Sequence, residues 1–188
     1  MVNDQKEVSI RLYGRGGQGV VTAANVLARA ACIAGLWSQT YPFFGAERRG
    51  APVTASVRIS KYRIRSRYFN IRSDVVMILD HKLYDLIDIH QSVREGGIVI
   101  INTPFKIKGS DKYRVFYINA GEIVRKLGLF FAGWSLVNMP MLGAFSKVTG
   151  IVGLEHIIQS ISEYLHSELL ELNVKAVKIA YDEVYEAE

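Results

Sequence analysis

Two short runs carry residue types and spacings suited to chemistry. The first is Gly14-Arg15-Gly16-Gly17-Gln18-Gly19, in which Gly14, Gly16 and Gly19 satisfy G-x-G-x-x-G. Glycines there permit a tight turn and a close backbone approach to a ligand. Free N–H groups at the start of a following helix attract phosphate. Arg15 adds a guanidinium able to make a charge-assisted contact with an anion. The second run is Phe44-Gly45-Ala46-Glu47-Arg48-Arg49-Gly50-Ala51-Pro52. Arg48 and Arg49 offer planar, permanently charged forks for carboxylate or phosphate. The plainer alternative is that Glu47 pairs with one of them and merely holds the loop. The glycine run stays open in the same way, between a phosphate-bearing ligand, a structural turn and a docking surface.

A dinucleotide site would need an acidic residue about 20 positions beyond the glycine loop, at the end of a second strand, to bind a ribose. Residues 36–44 contain no Asp or Glu, and the first acid after the loop is Glu47. No Walker lysine follows the loop, and no serine sits in G-x-S-x-G. His81, His90, His156 and His166 fall in or beside predicted helices, and none belongs to H-E-x-x-H. His81 adjoins Asp80, but one such pair makes neither a triad nor a metal site. The single cysteine, Cys32, cannot form an internal disulfide or carry an iron–sulfur cluster. Its place in a run of alanines predicts a small buried residue.

The elements that must position these loops follow from periodicity. Residues 8–13 predict a strand and residues 20–35 a helix with Val20, Ala24, Leu27, Ala28 and Ala31 on one face. Residues 37–43 predict a second extended segment. Residues 53–59 and 62–68 predict a hairpin turning near Ser60 and Lys61. Continuous apolar runs at 75–79 and 98–101 predict buried strands, with a helix over 81–93 between them ending at Gly96-Gly97. A short strand is expected at 115–118. Beyond Ala120 the chain turns helical, with an amphipathic helix marked by Leu154, Ile157, Ile158, Ile161 and Leu165 and a last one capped by Asn173. The sum is one α/β domain over 1–188: a three-layer, Rossmann-like fold with a mixed sheet and a helical C-terminal end.

At 188 residues, 49% of them hydrophobic, the chain has material for a sizeable core and is not disordered. Its polar N-terminus has no signal-peptide core, and no apolar run is long enough to span a bilayer, so a cytoplasmic protein with no membrane partner is expected. The net charge is +5, and Lys61, Arg63, Arg65, Arg67 and Arg72 lie close together. Three readings compete for that cluster: a solvated strand face, an acidic partner, or nucleic acid. No nucleic-acid motif supports the third, and no nucleic-acid partner is expected.

The two loops in this order and at this spacing resemble the gamma subunit of 2-oxoacid:ferredoxin oxidoreductases, or the corresponding domain of single-chain pyruvate:ferredoxin oxidoreductase. The likeness continues through Val57-Arg58-Ile59-Ser60, Ser73-Asp74-Val75, Asn138-Met139-Pro140-Met141-Leu142-Gly143 and the last helix, and so spans nearly the whole chain. Where the family usually has Gly-Gly-Pro this chain has Gly50-Ala51-Pro52, and Ala180 stands near a position that is often glycine.

The resemblance implies a subunit that is inactive alone. The complex would decarboxylate a 2-oxoacid, with pyruvate the first choice, form an acyl-CoA and reduce ferredoxin. Thiamine diphosphate with magnesium and 4Fe-4S clusters would belong to the complex, held by alpha, beta and delta subunits, and no cofactor by this chain alone. Gamma would support assembly and complete the coenzyme A site through Gly14, Arg15, Gly16, Gly17, Gln18, Gly19, Arg48 and Arg49. Phe44, Gly45, Glu47 and Gly50 would contact partner subunits, and ferredoxin would be met only through the complex. The rival reading is a stand-alone Rossmann-like nucleotide-binding protein or NAD(P)-dependent oxidoreductase.

Overall fold

A computed structural model describes residues 7–43, 50–65, 72–131 and 134–188. Strand β1 (Glu7–Arg15) runs into the glycine loop, which opens helix α1 (Val20–Ile33). Strands β2 (Trp37–Phe43) and β3 (Pro52–Ser60) follow. Then come β4 (Ser73–Ile78), a 3-10 turn (His81–Leu83), the short helix α2 (Ile89–Ser92) and β5 (Val93–Asn102). Strand β6 (Arg114–Ile118) leads to α3 (Ala120–Lys126), and β7 (Phe130–Phe131) and β8 (Trp134–Ser135) form a small antiparallel ribbon. Helices α4 (Asn138–Thr149), α5 (Leu154–Tyr164) and α6 (Ser167–Asp182) and strand β9 (Tyr185–Glu186) complete the chain.

The seven-stranded sheet has the order β2-β3-β1-β4-β5-β6-β9. Strands β1, β4, β5 and β6 are parallel, while β3 is antiparallel to β1 and β2, and β9 is antiparallel to β6. The sheet is therefore mixed. One face is covered by α1 and the helices that follow β6, around Ile10, Leu12, Leu27, Met77, Ile100, Phe145 and Val177. The other packs Val76, Ile78, Val99, Ile101 and Val115 against Leu83, Ile89 and Tyr113, which closes the third layer. The small residues of α1, Ala23, Ala24, Ala30 and Ala31, are essentially unexposed and let that helix lie close on the sheet.

Four sequence expectations are corrected. The hairpin partner of β3 is β2, not residues 62–68: β1 and β2 occupy both edges of β3, so no edge remains for a third strand. Residues 61–65 leave the sheet in a turn in which the Tyr62 amide donates to Ser60 Oγ at 3.0 Å; residues 66–68 lie outside the described residues. The helix expected over 81–93 is two short pieces. Asp80 and Asp88 each accept a backbone N–H, from Lys82 and Gln91, so Asp88 starts a second helix where a continuous one would have run through. Gly96-Gly97 then lies inside β5, where the pairing with β4 shifts between Ser73 and Val75.

Asn173 does not cap the last helix. It lies nearly two turns inside α6, buried, and its Nδ2 donates to the Leu169 carbonyl at 2.8 Å. Cys32 is exposed, not buried, with Sγ 3.2 Å from Ser38 Oγ. It falls one residue past the buried Ala30–Ala31 stripe, and a single step around a helix is enough to reach solvent.

Tyr84 packs beside the second core. Burial pushes its phenol up to about 12, with the charge of Tyr113 and a hydrogen bond to it adding to the shift. The folded state favours the neutral phenol, so this contribution to stability is complete below the unfolded value of about 10 and is lost as pH rises towards 12. Subtracting the ultraviolet titration of Tyr84→Phe from that of the parent should isolate one phenol ionising near 12. A difference curve centred near 10 would contradict this packing.

Candidate functional site

The parallel strands point their C-terminal ends to one edge of the sheet. From β1 the chain proceeds towards β2 and β3 on one side, and from β4 it proceeds towards β5 and β6 on the other. The crevice between the ends of β1 and β4 is thus the topological switch point, the usual ligand position in open α/β sheets. The glycine loop occupies it.

The loop is held from within. The Arg15 amide donates to Gln18 Oε1 at 2.8 Å, and the Gln18 amide closes a turn onto the Arg15 carbonyl at 3.0 Å. Gln18 is buried and spends its side chain on this turn. Gly17 is exposed with φ 99°, and Gly19, with φ 73°, precedes α1 without any side-chain cap. Among the described residues, the first amides of α1 therefore have no side-chain acceptor at the exposed end of the loop. Gly14 is required for a different reason: a Cβ there would collide with Val20 Cγ2, so α1 could not start so close to β1.

Backbone bonds join this loop to the second motif. The Gly16 amide donates to the Ala51 carbonyl at 2.9 Å, and the Gly50 amide donates to the Gly16 carbonyl at 3.2 Å. Gly50 has φ 85°, so the loop returns to β3 through a left-handed residue. Phe44, Gly45, Glu47, Arg48 and Arg49 lie outside the described residues. The end of their loop is nonetheless fixed against the glycine loop through Gly50 and Ala51.

Arg15 is already engaged. Its Nε lies 2.7 Å from Asp80 Oδ2, and its Nη1 donates to the Gly50 carbonyl at 3.1 Å. Both partners are mostly shielded, with side-chain exposures of 23% and 13%. One guanidinium thus ties together the ends of β1 and β4 and the second loop. Sequence reading noted Asp80 only as a neighbour of His81. The usable signal was its position directly after a continuous apolar strand, beside the strand that carries the glycine loop. Asn138 stands out in the sequence only as part of a motif; it starts α4 and packs against the loop, where a Cβ on Gly19 would fall 2.5 Å from its Nδ2. Asn102 was missed entirely. Its Nδ2 donates to the Leu79 carbonyl at 2.8 Å and its Oδ1 accepts from the Gly121 amide at 3.2 Å, tying β4, β5 and α3 at the same edge.

Further along that edge an open cleft of about 510 Å³ lies between the loop after β5 and strand β9, walled by Phe105, Lys106, Tyr117, Asn119 and Tyr185. His81 packs edge-on against Phe105 at 6.0 Å between ring centres, which joins the cleft to the Asp80 corner. In its far wall Glu186 accepts two hydrogen bonds from Arg114, which hold its carboxyl below the ordinary range.

The arrangement also bears on a dinucleotide. In a nucleotide-binding Rossmann unit the strand carrying the ribose acid lies beside the glycine-loop strand. Here β3 intervenes, so the end of β2 is displaced by two strand spacings, about 10 Å. The missing acid is thus matched by a missing position. Among the described residues no three His, Cys, Asp or Glu side chains converge to hold a metal. With one cysteine in the chain, the thiolate set of an iron–sulfur cluster is not present in it.

The fold and this edge define a mixed-sheet α/β domain whose glycine loop is locked to a second loop at the switch point. Residues 9–183 match the family described as pyruvate ferredoxin/flavodoxin oxidoreductase, and the chain belongs to it. Pyruvate synthase subunit PorC of Methanothermobacter thermautotrophicus is 42% identical over 177 residues, covering 94% of this chain and 96% of that protein. The pyruvate/ketoisovalerate oxidoreductases common subunit gamma of Pyrococcus furiosus is 40% identical over 188 residues, covering 95% of this chain and 99% of the relative. The crystal structure of pyruvate oxidoreductase subunit PORC from Thermotoga maritima superimposes with a TM-score of 0.83 at 32% identity, covering 98% of this chain and all of that one. Among the described residues no helix is long and apolar enough to cross a membrane.

Proposed function

We propose that this chain is the gamma subunit of a 2-oxoacid:ferredoxin oxidoreductase acting on pyruvate or a close analogue, and that its switch-point edge completes the coenzyme A site of the assembled enzyme. The exposed start of α1 and the arginine loop would face the phosphates of coenzyme A, while alpha, beta and delta subunits hold thiamine diphosphate, magnesium and the clusters. The observation that supports this reading is the backbone pairing of Gly16 with Gly50 and Ala51, which holds the residues that follow the arginine run against the glycine loop. A positive helix end with unpaired amides and two permanent cations is a phosphate-binding combination. The Arg15–Asp80 pair gives Arg15 a structural task, so Arg48 and Arg49 are left to supply the charge.

The test is made on the assembled enzyme. Arg48→Ala or Arg49→Ala should raise the apparent KM for coenzyme A by roughly 10- to 100-fold, the loss of one charge-assisted hydrogen bond of about 1.5–3 kcal/mol. Gly17→Val should act in the same direction, because φ 99° strains any L side chain and the branch would block the approach to the helix start. A folded Gly17→Val subunit that no longer co-purifies with its partners would mark the loop as a docking surface instead. Coenzyme A kinetics and assembly unchanged in all three variants would remove the loops from the site.

A further inference from the structure

The opposite end of the sheet carries a feature that the coenzyme A reading does not use. Register pairs Ser60 with both Trp37 and Glu7, so the start of β2, the end of β3 and the start of β1 lie level with one another. The chain leaves β3 there through Lys61 and Tyr62 and turns back beside β2, where Gln39 Nε2 donates to the Ile64 carbonyl at 3.3 Å. Arg63 and Arg65 follow on that returning segment, and Arg72 enters β4 at the same end of the sheet.

Lys61, Arg63, Arg65 and Arg72 are all exposed, and none makes an ion pair with a described residue. Two carboxylates at this end are already paired: Glu7 with Arg58 at 2.7 Å, and Asp74 with Arg94 at 2.7 Å. Beside these cations stand Trp37 and Tyr62, 51% and 63% exposed. Exposed Trp, Tyr and Arg on one corner are the residue types that concentrate binding energy at protein interfaces.

We infer that this corner docks an acidic face of another subunit of the same oxidoreductase, with Trp37 and Tyr62 as anchors and Lys61, Arg63, Arg65 and Arg72 supplying the charge complement. A second copy of this chain is disfavoured, because two such corners would repel at a net charge of +5 per chain. The inference rests on the chain working as a subunit, not on coenzyme A. The corner lies across the sheet from the glycine loop, so failure of one reading leaves the other standing.

The experiment co-expresses the remaining subunits with the parent chain or with the Arg63→Glu/Arg65→Glu double variant. Retention of this chain is followed by native mass spectrometry and by dissociation at rising salt, with thermal unfolding as the check on folding. The expected result is a folded double variant whose affinity for the complex falls at least tenfold, and a parent complex that loosens steeply with salt. Trp37→Ala should weaken retention without changing the salt slope, and Arg63→Lys/Arg65→Lys should keep most of it. Should the double variant not fold, the parent's salt slope and Trp37→Ala decide. Undiminished retention of both variants, or a salt-independent parent complex, overturns the proposal. So does self-association of the isolated chain that the double variant abolishes, or binding of a mixed-sequence single-stranded oligonucleotide that it abolishes.

Discussion

Replacing Gly143 with valine is expected to lower the unfolding midpoint by roughly 6–12 °C, the equivalent of about 3 kcal/mol or more in a chain of this size. Gly143 lies in α4, which is buried around most of its circumference, and faces α6 where Ala176, Val177 and Ala180 have no exposure. Even a Cβ at Gly143 would collide with the Val177 carbonyl oxygen, and that oxygen belongs to a helix backbone that cannot rotate away. Gly143→Ala should therefore already cost about 2 kcal/mol, and valine more, since the two helices must separate and interior packing leaves no slack. Because α4 also presents Asn138 to the glycine loop, separation should loosen the switch-point edge as well. Thermal unfolding of both variants is the measurement. Midpoints equal to the parent's would mean that α4 and α6 are not in this contact.

Asp74→Ala should be nearly as damaging, at about 3 kcal/mol. Asp74 directly precedes the β4 apolar run and is buried, yet it takes two hydrogen bonds and an ion pair. Its Oδ2 accepts from the Ser9 amide at 2.6 Å and from Ser9 Oγ at 2.7 Å, and its Oδ1 lies 2.7 Å from Arg94 Nε. Ser9 precedes the first residue of β1 that pairs with β4, so Asp74 supplies the acceptor that the parallel ladder does not reach. Alanine would strand a buried N–H and hydroxyl and leave Arg94 to water. Asp74→Asn keeps the shape and one acceptor oxygen, and should lose only about a third of that amount. Comparable stability of Asp74→Ala and the parent would show that water replaces the carboxylate without cost. The Ser73-Asp74-Val75 motif thus has a physical content: a side chain that completes the junction of β1 and β4.

The glycine loop, the helix it opens and the four parallel strands were legible because each is a local pattern. Alternation marks β1, unbroken apolar runs mark β4 and β5, and G-x-G-x-x-G between a strand and a helix marks the turn. Local capping changed what local periodicity suggested. Residues 81–93 have a helical pattern, yet Asp80 and Asp88 each take a backbone N–H and restart the chain. Sequence also carried the family, since the two loops occur in order and at fixed spacing along one chain.

The composition of the site was not legible in the same way. Arg15 read as a free cation suited to phosphate, but its closest partner is a carboxylate 65 positions away, brought alongside by the parallel pairing of β1 with β4. Gln18 read as part of a ligand loop, but it satisfies the loop's own amide. The basic alternation at 61–65 read as a strand face, but both edges of β3 were already filled. The sequence by itself determined which segments pair their backbones locally and which faces must be buried, because those depend on residues a few positions apart. Only the tertiary structure decided which charges neutralise one another and which remain exposed, because a carboxylate and a guanidinium distant in sequence meet only after the order of strands in the sheet is set.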